Sequence, residues 1–404
     1  MKILVLSPKP PWPPHDGGAV AILRGIEGLA FNGAEISLLS MRTEKHGLPV
    51  PEAGKEHLSF LHSHETVEVD TRIRPLKMLQ NLLFSWEPYD LARFRSDEFS
   101  RVLCRVIRDG GFDLVQCEGV LFTCYLGKIR NETSAPVVLR AHNVEHRIRE
   151  MMSDQASGSL RRAYLGNLAG RIKRCETDAG RLFDAIIPIS EPDLRWFRDA
   201  ALESKPILLS ETGVTFPRYF SEPDEANVKV GFIGALNWEP NLQGLRWFTE
   251  QVWPVVCKAI PAASLHIAGR GAPARAPSWL RGRNINWVGE ADDARQFMAS
   301  VNVIVAPLFA GSGLRIKIIE AMSIGRPVVA TPVAVHGIPA VNGQELFIAD
   351  DVSSFSNTLI SLLNDRELRK STGEAAVSLV KERYDNTTRT AELLEFYKQL
   401  CHGR

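Results

Sequence analysis

Short apolar runs, each followed by a stretch of helical periodicity, recur along this chain, and that alternation restricts what it can become. KILVLS at 2–7 leads through a proline-rich loop, PKPPWPPHDGG, into AVAILRGIEGLAFNG. There Val20, Leu23, Ile26 and Ala30 fall at helical spacing and Gly33 is placed to end the helix. AEISLLS, FDLVQCE, PVVLRAH and DAIIPIS continue the series, separated by helical stretches. Runs this short and apolar suit strands buried on both faces, and such strands alternating with helices make a parallel sheet covered on both sides. A polar, weakly periodic, proline-bearing segment then interrupts the pattern between roughly 204 and 227.

Beyond it the grammar restarts. KVGFIGAL, ASLHIAG, INWVG, VNVIVAP and PVVAT read as strands. EPNLQGLRWFTEQVWPVVCKA reads as a helix kinked or ended near Pro254, DDARQFMASV as a helix, and EAAVSLVKERYDNTTRTAELLEFYKQL as one long helix charged on one face. The expected fold class is α/β: two Rossmann-like, doubly wound parallel-sheet domains facing a cleft, with ligands at the carboxyl ends of the strands. The expected division is 1–205, 206–380 and a C-terminal helix over 381–404 packing back on the first domain.

Composition narrows the class. Length, 404 residues, suits two domains, and 45% hydrophobic with 24% charged residues is a globular balance. A net charge of +1 gives no reason to expect nucleic-acid binding. The six cysteines are scattered without a CxxC pair or a histidine at ligand spacing, so reduced thiols and no metal site are expected. The opening apolar run is too short for a signal peptide, and no stretch reaches the length of a membrane span; a cytoplasmic protein is expected.

The most informative stretch is GSGLRIKIIEAM, 311–322, which follows the strand VNVIVAP. The helix is apolar nearly all round, yet carries Arg315, Lys317 and Glu320. Charges in such a place must pair with one another or face a ligand, because a lone buried ion costs several kcal/mol. A Lys317–Glu320 surface pair is one reading. It leaves Gly311, Gly313 and Arg315 unexplained. The other reading uses them all: glycines admit close backbone approach, the helix start attracts an anion, two cations complete a diphosphate pocket, and Glu320 is an acceptor for ribose hydroxyls. Diphosphate beside ribose describes a nucleoside-diphosphate sugar.

GSGLRIKIIEAMSIGRPVVAT resembles the donor-binding element of GT-B-fold retaining glycosyltransferases of family 4 (group 1 glycosyltransferases), in the subgroup reading GSGxRxKxxEAM. VGFIGALNWEPNLQGLRWF, IIPISEPD and GIPAVNGQELFIADD are similar to the same subgroup. The resemblance implies donor binding by Gly311, Ser312, Gly313, Leu314 and Glu320, with Arg315 and Lys317 stabilising the departing diphosphate. Two departures stand out. Ser312 occupies a position where many members carry a carboxylate, and the loop ALNWEPN offers Asn237 where many supply cations.

Other constellations carry two readings each. Gly17 and Gly18 in HDGGAV form a tight turn or bring backbone N–H groups to the donor or acceptor, as the family's N-terminal glycine pair does. His142, just past the strand PVVLRA, is a satisfied structural residue or matches the family histidine that contacts the donor sugar. Its neighbours Arg140, Asn143 and Glu145 bind acceptor or cap a helix. Glu118, at another strand end, is set aside as a nucleophile. In WVGEADD, backbone around Val288 and Gly289 meets the nucleobase edge, or Glu290, Asp292 and Asp293 cap a helix. TRIRPLKMLQNLLFSW, 71–86, is a helix packed on the core or an amphipathic patch touching anionic lipid, and RRAYLGNLAGRIKRCE adds basic residues to the same half.

The expectation is a metal-independent retaining glycosyltransferase. It uses no cofactor beyond a nucleotide-sugar donor and acts on a carbohydrate or lipid-linked acceptor in bacterial polysaccharide or glycolipid assembly. It would work in the cytoplasm, with peripheral contact at the inner membrane face. The rivals are a sugar-nucleotide 2-epimerase of the same fold and a non-catalytic nucleotide-sugar-binding protein.

Overall fold

The computed structural model describes every residue except 15, 45–55, 155, 201–204, 217–227, 281, 292, 311–313 and 404. The chain forms two units, Met1–Gly213 with Asn386–Arg404, and Val214–Asp385.

In the first unit the strands are β1 (Lys2–Ser7), β2 (Glu35–Arg42), β3 (Ser63–Glu68), β4 (Leu114–Glu118), β5 (Val137–Ala141) and β6 (Ala185–Pro188). They lie in the order β3-β2-β1-β4-β5-β6, all parallel. Successive residues of a strand serve opposite faces: Leu4 and Leu6 enter one apolar core, Ile3 and Val5 the other. Helices complete the layers: α1 (Gly17–Phe31), α2 (Pro75–Phe84), α3 (Tyr89–Ala92), α4 (Asp97–Gly110), α5 (Leu126–Glu132), α6 (Glu145–Asp154), α7 (Ser159–Leu182) and α8 (Glu191–Asp199). The start of α1 is fixed by Asp16, whose carboxylate accepts from Ala19 N–H at 2.8 Å. β3 was not foreseen. It is an edge strand with Val67 as its one buried residue, so its sequence, SHETVE, lacks an apolar run.

The second unit repeats the scheme with β7 (Lys229–Ile233), β8 (Ser264–Ala268), β9 (Ile285–Gly289), β10 (Val303–Ala306), β11 (Val328–Ala330) and β12 (Phe347–Ile348), ordered β12-β11-β10-β7-β8-β9. Its helices are α9 (Glu239–Trp247), α10 (Trp253–Ala259), α11 (Ala294–Ala299), α12 (Ile316–Ser323), α13 (Val352–Asn364) and α14 (Arg366–Tyr384). A π-helical turn, Phe248–Val252, joins α9 to α10 just before Pro254. The wider turn absorbs the hydrogen bond that proline cannot donate, so the helical path continues instead of ending. In each sheet the strand order reverses next to the unit's first strand, between β1 and β4 and between β7 and β10. Crevices at such reversals are where open α/β sheets bind ligands.

The long terminal helix read from the sequence is two helices. α14 ends at Tyr384, whose carbonyl accepts from Val214 N–H at 2.8 Å, and Asp385 has extended backbone. α15 (Asn386–His402) belongs to the first unit and buries Leu393, Leu394 and Tyr397 in its core. The division between units thus falls at 213/214 and 385/386, later than the sequence boundary on both sides. The segment after 205 stays with the first unit because Leu208 N–H and Ser210 N–H donate to Ile186 and Pro188 carbonyls of β6.

Candidate active site

Within the second unit the carboxyl ends of β7 and β8 approach so closely that a Cβ on Gly269 would lie 1.7 Å from the Gly234 carbonyl oxygen, so this crossing requires glycine. The chain leaving β7 carries Asn237 on an exposed turn against Gly271, and α9 sends the buried Asn241 back beneath it. Lys317, in the first turn of α12, points at this place. Its ammonium lies 3.4 Å from Asn241 Oδ1 and 5.3 Å from the centre of the Phe232 ring. A Cβ on Gly234 would come within 2.9 Å of the ammonium. Burial, and then the charge of Arg315, pull the Lys317 pKa down from 10.5 to about 7.

Arg315 caps α12 with its guanidinium 5.8 Å from the centre of the Trp238 ring, and burial lowers its pKa too. Two cations are therefore gathered where desolvation disfavours them, an arrangement an anionic ligand relieves. Glu320, one turn along, has Arg295 of α11 at 3.8 Å. Arg295 is absent from the sequence reading, since nothing in the DDARQFMASV pattern tells which way that arginine turns. Leu314 sits in van der Waals reach of Gly337 and packs on the core. Gly289 ends β9 at φ +83, and its carbonyl accepts from Gly269 N–H at 2.8 Å. Gly311, Ser312 and Gly313 lie outside the described residues.

In the first unit, Glu118 ends β4 and His142 follows β5, bringing Glu118 Oε2 and His142 Nε2 to 2.5 Å. Burial raises the Glu118 pKa, but the hydrogen bond and charge of His142, with Arg140 and Gln116 adding, leave it below its ordinary value. Gln116 donates to Glu118 Oε1, and Tyr397 of α15 donates to Gln116 Oε1 at 2.7 Å. A buried polar line thus runs from α15 to the imidazole. Its signal in the sequence was two polar residues, Gln116 and Glu118, in an otherwise apolar strand.

A cavity of about 290 Å³ opens here, walled by Lys9, Gly18, Glu118, His142, Glu145 and Arg149 among others. Gly17 and Gly18 begin α1; the space beside Gly17 is open, while a Cβ on Gly18 would meet the Lys9 ammonium at 3.0 Å. Lys9 is itself held by Asp16 at 2.5 Å. Arg140, for which the sequence offered acceptor binding or helix capping, is 1% exposed and turns its guanidinium toward Gly25 of α1. The reading of 71–86 as a helix packed on the core also fails: α2 buries none of its residues.

Residues 227–365 match the family model described as glycosyl transferases group 1. Solved structures align over the whole chain. Sucrose-phosphate synthase from Thermosynechococcus elongatus superposes with a TM-score of 0.69 at 15% identity, covering 100% of both chains. HepE from Anabaena, solved in complex with UDP and glucose, gives 0.64 at 15% identity over 99% of this chain and 100% of that one.

The chain has the GT-B glycosyltransferase fold.

Among curated proteins, this GT-B chain is 27% identical over 95% of its length to an uncharacterized 44.6 kDa protein in the cps region of Klebsiella pneumoniae, of which it spans 97%. It is 29% identical over 37% of its length to a phosphatidyl-myo-inositol mannosyltransferase of Mycobacterium leprae, spanning 41% of that protein. Among the described residues, no helix is long and apolar enough to cross a membrane, and no group of three or more His, Cys, Asp or Glu is placed to hold a metal ion.

Proposed function

We propose that this chain is a retaining glycosyltransferase that moves a sugar from a nucleoside-diphosphate sugar to an acceptor hydroxyl in polysaccharide or glycolipid assembly. The observation that carries the reading is the pair Arg315 and Lys317, gathered with lowered pKa values at the carboxyl ends of β7 and β10. The diphosphate binds these two cations and restores the charge that burial disfavours. Glu320, steadied by Arg295, accepts from the ribose hydroxyls. Gly289 and the backbone beside it meet the base.

As the bond between the anomeric carbon and the diphosphate oxygen breaks, a bond from the acceptor oxygen to that carbon forms on the same face. The acceptor proton passes to the departing diphosphate. Arg315 and Lys317 stabilise the negative charge that accumulates there and take the part a divalent metal plays elsewhere; one preorganised donor of this kind is worth about 3–4 kcal/mol in a transition state. His142, its ring held by Glu118, orients the sugar, and the cavity beside it receives the acceptor. The group 1 match over 227–365, the UDP complex of HepE, and the cps region and phosphatidyl-myo-inositol mannosyltransferase named for the relatives support this reading.

Calorimetric titration with UDP, GDP, ADP and TDP tests the donor site. One nucleotide is expected to bind wild type and to lose its affinity in Arg315→Ala. Failure of all four to bind folded protein at millimolar concentration refutes the reading. Product analysis with the matching nucleotide sugar then distinguishes a new glycoside from an epimerised or unchanged donor.

A further inference from the structure

Three cavities of the first unit are joined by shared walls. The one beside His142, about 290 Å³, has Pro8, Lys9, Arg93 and Phe94 in common with a second of about 720 Å³. The second has Arg72 and Arg93 in common with a third of about 530 Å³, which reaches Lys77 and Phe84 of α2. Sites for one small ligand run to about 300–1,000 Å³, so the series is a groove with room for several sugar residues.

The charge of this groove changes along its length. Its inner end is mixed: the carboxylates of Asp90, Glu118, Glu145 and Glu176 stand there with His142 and Arg149, and Arg149 is held by Asp90 at 2.8 Å. Such acceptors suit sugar hydroxyls. The outer two cavities are walled by Lys9, Arg72, Arg74, Lys77, Arg93 and Arg95 against two carboxylates, Glu44 and Asp70. Asp70 is shared between Arg72 and Arg74, at 2.9 and 2.7 Å. Thr71, Gln80 and Ser85 add uncharged donors and acceptors, and Phe84, Tyr89 and Phe94 add aromatic rings.

Arg93 stands at the junction, in the wall of all three cavities. Its guanidinium has five N–H donors. Nη1 donates to the Thr71 carbonyl at 3.2 Å, and Nε is buried without a hydrogen-bond partner among the described residues. The surrounding wall is held in place: Arg74 N–H donates to the Tyr89 hydroxyl at 2.9 Å, and the Arg93 guanidinium lies 5.5 Å from the centre of the Phe94 ring. A fixed arginine with donors left over selects a planar anion that it can grip with two N–H groups. A neutral glycan would leave the outer cations without counter-charge. A chain charged at every residue, such as a nucleic acid, would bring phosphates against the inner carboxylates.

We propose that this groove binds an acidic glycan as the acceptor. Its carboxylate-bearing sugars lie along the outer cavities, and a neutral, hydroxyl-bearing end sits beside His142. Arg93 is the specificity-determining residue: it grips the carboxylate nearest that end, while Arg72, Arg74 and Lys77 meet those further out. The role as acceptor rests on the proposed glycosyl transfer; binding of the acidic chain does not.

The test is calorimetric titration of the full chain with hexagalacturonate, with its full methyl ester and with inorganic tripolyphosphate. The hexamer probes the outer cavities and is expected to bind, more weakly as salt is raised. The uncharged ester should bind about tenfold more weakly or not at all. Arg93→Gln should weaken the hexamer about tenfold or more, through loss of a half-buried, charge-assisted contact. Arg72→Gln and Lys77→Gln change exposed side chains and should each cost about two- to fivefold with unchanged thermal unfolding. These two keep the test decisive if Arg93→Gln does not fold. Equal binding of hexamer and ester, no binding of either, or an affinity unmoved by the substitutions overturns the proposal. So does tripolyphosphate binding as tightly as the hexamer, the mark of an unselective anion patch. Nucleotide titration of the wild type is a separate readout. Hexamer binding without nucleotide binding refutes the transferase reading and leaves the groove; nucleotide binding without hexamer binding does the reverse.

Discussion

If the diphosphate seats against Lys317, binding must be linked to protonation of that one side chain. With a pKa of about 7 in the ligand-free protein, Lys317 is about nine-tenths neutral at pH 8. A bound diphosphate returns the pKa toward its ordinary range, so binding at pH 8 should take up about 0.9 proton. Between pH 7 and pH 9 the apparent affinity should fall about fifty-fold, as an increasing share of the protein must first be protonated. Calorimetry in buffers of different ionisation enthalpy reads the uptake directly. Lys317→Arg is the decisive control: a guanidinium stays charged across this range, so the variant should bind without proton uptake and with a flat pH profile.

The ligand-free protein gives an independent check. The folded-state pKa is depressed, so above pH 7 the unfolded chain holds one proton more than the folded one, and stability rises with pH until about 10.5. Replacing Lys317 by Met, which removes the desolvated cation, should therefore stabilise the protein more at pH 7 than at pH 9, by about 2 kcal/mol at most. Uptake below about 0.2 proton in wild type, or equal uptake in Lys317→Arg, refutes the reasoning.

Glu320→Gln should weaken nucleotide binding while leaving thermal unfolding nearly unchanged; unaltered affinity in titration would remove Glu320 from the ribose site. Gly269→Ala should destabilise the second unit by about 1–3 kcal/mol or prevent its folding, because the added Cβ falls 1.7 Å from the Gly234 oxygen, and chemical denaturation measures the loss. Tyr397→Phe should cost about 1 kcal/mol through the orphaned Gln116 carbonyl. It should also lower transfer through His142 while leaving nucleotide affinity intact, a separation that paired activity and binding assays would detect.

The apolar runs made the strands legible because parallel strands buried on two faces have little choice of residue. β3, with Val67 as its one buried residue, and β12, only two residues long, offered no such run and escaped the sequence reading. In the donor region, the residue types of α12 announced a gathering of charge, but the partners Arg295 and Asn241 come from other elements and depend on packing that no local pattern encodes. Tyr397 meets Gln116 across 281 positions of sequence, so periodicity could not have joined them. For α2 the sequence showed both readings and could not choose, since an amphipathic pattern looks the same whether its apolar stripe meets a core or faces outward.

The return of α15 to the first unit has a consequence for how the chain is made. The second unit is an insertion in the first, entered at Val214 and left at Asp385. A chain emerging from the ribosome therefore completes Val214–Asp385 before Met1–Gly213 can close its core. Until α15 arrives, the groove beside Gly28 of α1 is open and Gln116 lacks Tyr397. The unit that is translated first is finished last. A frameshift or nick in the final nineteen residues would thus leave the group 1 segment whole while disabling the histidine site some 250 residues upstream.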